Sequence, residues 1–198
     1  MSEHEQDQQP DRPEAERREP SLHPRVWIGS LADYNNGILT GEWVDAAVQD
    51  EELVAAAHRI VARSEMPDAE EWAIFDADEF AGWQPGEYED LALVAKVARG
   101  IVEHGPAFGE WAELHDADPM MLDSFSDAYL GEYDSPAAWA ESVMGELGIN
   151  DQLANLSGEL RHYVRFDYEG WAHDAQLSGE VYVATRPDGG VWVFQANL

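Results

Sequence analysis

Of the 198 residues, 41 are Asp or Glu and seven are His, so side chains able to do acid–base or metal chemistry are plentiful. Abundance brings no specificity. A general acid–base pair needs two groups held in register with a substrate, and among so many carboxylates any two could qualify. The histidines (His4, His23, His58, His104, His115, His162 and His173) form no HExxH pair. Two acidic stretches approach a calcium loop in composition, and both fail it. In DADEFAGWQPGE, Phe80 takes the fifth position; in DYEGWAHDAQLSGE, Ser178 takes the twelfth, where a bidentate Glu is required. No Ser lies in GxSxG and no glycine-rich phosphate or dinucleotide loop is present. There is no Cys, which excludes disulfides, thiolate metal sites and Cys nucleophiles. The sequence therefore predicts no catalytic residue, no metal and no cofactor.

The carboxylates are better read by their charge. Against 11 Lys and Arg they leave a net charge of −30. From Gly100 to Leu160, 61 residues carry 13 Asp or Glu and no Lys or Arg. Like charges at three- or four-residue spacing on a helix repel by a few tenths of a kcal/mol per pair, and solvated helices usually interleave both signs. Such a chain repels nucleic acid and anionic membranes and attracts basic partners. Setting aside the first 20 residues, about 26 net charges remain, equal to those on about 44 Å of duplex at one charge per 1.7 Å. A globule of this length has a radius of gyration near 16 Å, so charge density and size both approach those of DNA. Salt adaptation or acidic solubility would also produce an acidic, lysine-poor composition.

These charges need elements to position them. Residues 1–23 hold no aromatic side chain and read as a disordered leader. Residues 24–84 read as a small α+β unit. RVWIGSLADYNNGILTGEWVDA is a hairpin turned at YNNG. Asp50 caps a helix with Glu51 and Glu52 in its first turn and a stripe of Leu53, Ala57, Ile60 and Val61. EEWAIFD is a third strand. Residues 85–118 read as a helical unit: Leu91, Val94, Ala98 and Ile101 keep helical spacing, Gly105-Pro106 breaks it, and Phe108, Trp111 and Leu114 resume it. Residues 119–198 read as a second α+β unit. It comprises a helix at Met121, Leu122 and Phe125, a strand at AYLGEY, and a helix capped by Ser135 with Trp139, Val143 and Leu147 buried. A helix capped by Asp167 and a hairpin turned at PDGG complete it. No apolar run reaches the roughly 18 residues needed to span a bilayer and no signal-peptide core is present, so a soluble, cytoplasmic protein is expected. The eight Trp are expected mostly in the core, with one or two at a subunit interface.

On these elements the carboxylates fall into rows. Glu110, Glu113 and Asp116 step by three along one helix, about 4.5 Å per step, and Asp123 and Asp127 stand about 6 Å apart along an axis. Rows at such spacing resemble phosphates loosely, and a solvated acidic helix face would look alike.

Three collinear segments resemble the ArdA-type antirestriction proteins: RVWIGSLADYNNGILTGEWVDA at 25–46, DSFSDAYLGEYDSPAAWAESVMGELG at 123–148, and FDYEGWAHDAQLSGEVYV with DGGVWVFQ at 166–195. The resemblance covers all but the leader, which is a departure from the family pattern. It implies a DNA mimic that occupies the DNA groove of the methyltransferase core of type I restriction–modification enzymes. Such a protein blocks restriction, and often modification, and is not an enzyme. It implies an elongated α+β chain of three small domains, dimerising through its C-terminal region. By motif position Asp123, Asp127, Tyr129, Gly131, Glu132, Tyr133 and Asp134 carry over as the antirestriction segment and dimer interface. As phosphate mimics we select Asp76, Asp78, Glu79, Glu87, Glu89, Asp90, Glu110, Glu113, Asp116, Asp118, Glu141 and Glu146. Two other readings share the composition: an acidic chaperone-like binder of basic DNA-binding proteins, and a carboxylate-dependent hydrolase, for which no motif speaks.

Overall fold

The computed structural model describes residues 22–197. The expected disordered leader thus lies outside the described residues up to residue 21. Leu22 packs against the core and the His23 N–H donates to Glu79 at 2.6 Å.

The fold is mixed α+β with two three-stranded sheets. In the first, β1 (Arg25–Ser30) lies between β2 (Gly41–Asp45) and β3 (Trp72–Asp78), antiparallel to both. The β1–β2 connection is not a tight turn. It contains a short helix, α1 (Leu31–Asn35), capped by the Ser30 hydroxyl, and the positive φ falls on Gly37. α1 is tied down by Asp33, which is fully buried and accepts the Ser64 hydroxyl at 2.8 Å. Burial pushes the Asp33 carboxyl up, but hydroxyls from Thr40, Ser64 and Ser30 outweigh it and hold it below the usual range.

Val26 and Ile28 point inward from β1 and are fully buried under α2 (Asp50–Val61), whose Leu53, Ala57, Ile60 and Val61 form the expected stripe. The expected Asp50 cap is not made. Gln49 holds the cap position without a side-chain bond, and Asp50, the first helical residue, pairs instead with Arg99 at 2.8 Å. Arg99 belongs to α3 (Leu91–His104), which packs on α2 and on α4 (Pro106–Leu114). Gly105, at φ 80°, separates α3 from α4 as expected.

Two short helices follow, α5 (Pro119–Asp123) and α6 (Phe125–Ala128), and then β4 (Tyr129–Tyr133). α7 (Pro136–Glu146) begins on the expected Ser135 cap, its hydroxyl accepting the Ala138 N–H at 3.1 Å. Its buried face is Trp139, Ala140 and Met144; Leu147, expected in the stripe, is exposed beyond the helix end. α8 (Ile149–Ala154) and a 3₁₀ turn (Leu160–His162) were not anticipated. α9 (Tyr168–Leu177) starts on the expected Asp167 cap, and β5 (Val181–Thr185) and β6 (Val191–Gln195) form the expected hairpin.

The second sheet runs β4-β6-β5. Its central strand reads VWVF because both faces are covered. Val191 and Val193 face Trp139, Ala140, Ala172 and Ala175 of α7 and α9. Trp192 and Phe194 join the larger apolar cluster, which continues through Phe125 and Trp111 to Val26 and Ile28 of the first sheet. No described helix is long and apolar enough to cross a membrane.

Candidate functional site

The selected carboxylates fall in four places. The first runs from the end of β3 to the start of α3. Asp76 accepts the Ala77 N–H, Asp78 holds Arg25 at 2.7 Å, and Glu79 accepts the His23 N–H. The Ile74 N–H donates to the backbone carbonyl of Glu87, which fixes the loop against β3. Glu89 accepts the Gly86 N–H at 3.4 Å, and Asp90 caps α3 by accepting the Ala92 N–H at 2.9 Å. Several of these groups therefore shape the loop as well as charge it. An N-cap carboxylate is favourably placed against the helix dipole, so capping is compatible with a second role toward a partner.

The second place is α4 and the turn after it. Glu110 and Glu113 share a helix and repel each other; burial first, and Glu113 second, raise the Glu110 pKa. Tyr182 of β5 is raised as well, by burial and then by the same two carboxylates. The expected row of three is not formed. α4 stops at Leu114, and Asp116 lies beyond it in a turn with φ 49°. Asp118 caps α5 through the Met120 and Met121 N–H groups. Beside this turn, burial pushes the His115 imidazole down against an opposing pull from Asp118.

A raised carboxyl pKa in the fold fixes the sign of its effect on stability. The ionised form is disfavoured on folding, a cost present above the folded pKa and gone below the unfolded value near 4.5. Glu110→Gln should therefore raise the melting temperature at pH 7, by about 1–3 °C for a part-exposed group, and lose that advantage at pH 4. A lower melting temperature at pH 7 would contradict this placement.

The third place is the segment from Asp123 to Asp134. Asp123 and Asp127 do not share a helix: the chain breaks at Ser124 between α5 and α6. Asp123 is held by Lys96, the only lysine of the chain, at 2.7 Å. The Tyr129 ring stacks on Phe125 at 5.2 Å and so anchors the start of β4. The β4–β6 register slips between Tyr129 and Gly131, and Gly131 takes φ 121° there, a conformation that excludes side chains. Glu132 holds Arg186 at 3.0 Å, while the Tyr133 hydroxyl donates to the Leu130 carbonyl at 3.1 Å. Asp134 is exposed at the strand end. β4 pairs with β6 only, so its other edge carries no strand among the described residues.

The fourth place is the exposed side of α7, with Glu141 and Glu146. The structure does not gather the four groups into one cluster. It spreads them over both sheets and the helices between.

Sequence reasoning missed Arg186. Its guanidinium bridges Glu132 and Asp188, at 3.0 and 2.7 Å, and lies over the Trp192 ring at 5.9 Å. No local signal reveals it: the PDGG turn sets β6 beside β5, and only the pairing of β4 on the other side of β6 brings Glu132 within reach of Arg186.

A family model described as antirestriction protein (ArdA) matches residues 26–187, from β1 to the PDGG turn. The chain belongs to the ArdA antirestriction family. A comparison with curated proteins finds no match. The ArdA match takes in all four carboxylate groups and the whole of β4. It stops short of β6, although β6 is the strand on which β4 is built.

Proposed function

We propose that this ArdA protein is a non-catalytic DNA mimic that occupies the DNA-binding groove of a cytoplasmic type I restriction–modification enzyme. It blocks restriction, and modification where the methyltransferase core is covered. One observation supports this above the others. Of the 13 carboxylates between Gly100 and Leu160, only Asp123 and Glu132 meet a Lys or Arg among the described residues. The rest stand without a Lys or Arg among the described residues, on helices and the turns between them, where a solvated surface would interleave both signs. A basic groove that normally neutralises phosphates would supply the missing charges, without being offered a base to cut or methylate. The deciding experiment is competition: the protein should displace DNA from the enzyme at one site, more weakly as salt rises. Inhibition unaffected by DNA concentration would end this reading. An acidic chaperone of basic proteins shares the charge but has no need of a fixed scaffold; it would bind histone-like proteins as tightly as the restriction enzyme.

We further propose that two chains associate through the edge of β4, Tyr129 to Tyr133, and that the three units, 24–84, 85–118 and 119–198, lie end to end. A strand edge that meets no second strand among the described residues offers backbone groups to a second copy, and the like charges around it would oppose association less at high salt. Small-angle scattering at 0.15 M and 0.5 M salt should give a dimer mass and a radius of gyration well above the roughly 16 Å of a globular chain. A monomer near 16 Å at both salts would refute the assembly and the shape together.

A further inference from the structure

The outer face of the first sheet is aromatic, and the carboxylate reading uses only Asp76 and Asp78 of it, not its rings. Directly paired residues share a face. Arg25 is opposite Asp45 and Asp78, and Trp27 is opposite Trp43 and Asp76. Val26 and Ile28 fill the inner face, so these six side chains lie outside. Phe75, at the register shift beside Trp27, joins them: its ring meets Trp27 at 5.6 Å and Tyr34 at 4.4 Å. Gly29 and Gly41 supply the floor. A Cβ on Gly41 would stand 2.3 Å from the Trp27 ring, so that ring lies flat across the strands. Trp43 and Tyr34 are 41% and 51% exposed.

This face already seats one guanidinium. Arg25 lies 4.9 Å over the Trp43 ring while it holds Asp78 at 2.7 Å. Ring and carboxylate together are the two parts of a strong arginine contact, since the planar cation stacks on a π-face and its edge meets an anion. Asp76 stands opposite Trp27 and Asp45 opposite Arg25, and neither pairs with a Lys or Arg among the described residues.

We propose that this face is a contact surface for arginine side chains of a basic partner, with the rings of Trp27, Trp43, Phe75 and Tyr34 taking guanidinium planes and Asp45 and Asp76 their edges. It rests on the DNA-mimic reading for the identity of the partner. It adds that part of the binding is stacking, which salt screens less than charge, and that arginine is preferred to lysine.

The test uses the full chain and two peptides of equal charge, octa-arginine and octa-lysine, followed by tryptophan fluorescence at 0.15 M salt. Octa-arginine should bind about fivefold or more tighter, within the range of one or two cation–π contacts. The Trp43→Ala, Tyr34→Ala double variant should erase that preference. Both side chains are exposed, so its melting temperature should stay near wild type. Trp43→Phe with Tyr34→Phe keeps the rings and should restore the preference. Equal binding of the two peptides by the wild type, or an alanine variant that still prefers arginine, overturns the proposal. So does an alanine variant that loses self-association, which would make this face an interface between copies. Against a type I enzyme, the alanine variant should lose about tenfold in competition with DNA, and the loss should persist at 0.5 M salt. A wild type that does not compete at all would remove the DNA-mimic reading, while the peptides still decide the arginine surface.

Discussion

Trp111→Ala should destabilise the fold by about 3–5 kcal/mol, the usual range for deleting a buried Trp. The side chain is 1% exposed. Its indole N–H donates to the Met121 carbonyl at 2.7 Å, and its ring meets Phe194 at 5.3 Å and His115 at 4.1 Å. One residue of α4 thus contacts α5 and the central strand of the second sheet, while its own helix packs through α3 and α2 to the first sheet. Removing it leaves a cavity and takes one of three hydrogen bonds from the Met121 carbonyl, which keeps the Ser124 N–H at 3.1 Å and the Ser124 hydroxyl at 2.8 Å, so the cavity accounts for most of the loss. Against a typical stability of about 5–15 kcal/mol, the loss is about a fifth of the total or greater, and at about 2–4 °C per kcal/mol it lowers the melting temperature by about 6–20 °C. Trp111→Phe keeps most of the buried area but not the donor, and should fall between variant and wild type. Denaturant midpoints at an unchanged slope would report it. A loss below 1 kcal/mol for the alanine variant would mean that the apolar cluster does not depend on this bridge.

Neutralising the carboxylates of α4 and α7 together with Asp127 and Asp134 should weaken competition with DNA far more than any single change does. An exposed ion pair contributes about 0.2–1 kcal/mol. Glu110, Glu113, Glu141, Glu146, Asp127 and Asp134, changed together to their amides, would then remove about 1–6 kcal/mol, or about fivefold to about ten-thousandfold in inhibition. None of the six pairs with a Lys or Arg among the described residues, so their loss breaks no internal salt bridge. Asp123 and Glu132 belong in a separate arm, because their removal would also release Lys96 and Arg186. Each neutralisation should also flatten the dependence of inhibition on salt, since fewer ions are released on contact. The measurement is displacement of labelled DNA from the enzyme at two salt concentrations. One all-or-none residue among silent neighbours would point to a hydrolase-like centre and end the mimic reading.

Local rules made much of the fold legible without coordinates. Ser135 and Asp167 cap helices because a short polar side chain at the right offset satisfies free N–H groups, whatever lies elsewhere. The stripes of α2 and α3 and the PDGG hairpin follow from periodicity and from turn residues. The charge excess and the family likeness are also properties of sequence alone. Tertiary structure decided whatever depends on a distant partner. Asp50 does not cap α2 because Arg99, on another helix, claims its carboxylate. Asp116 and Asp127 leave their expected rows because the chain turns after Leu114 and again at Ser124 to carry Trp111 and Phe125 into one core. The run VWVF cannot reveal which of its two buried faces meets α7 and α9 and which meets Trp111. Nor can composition place Arg186 against Glu132, or turn Trp27, Trp43 and Phe75 to the outer side of a sheet whose inner side was already filled. Charge, caps and periodicity act within a few residues and are written along the chain; pairing and facing act between segments, and exist only once those segments have packed.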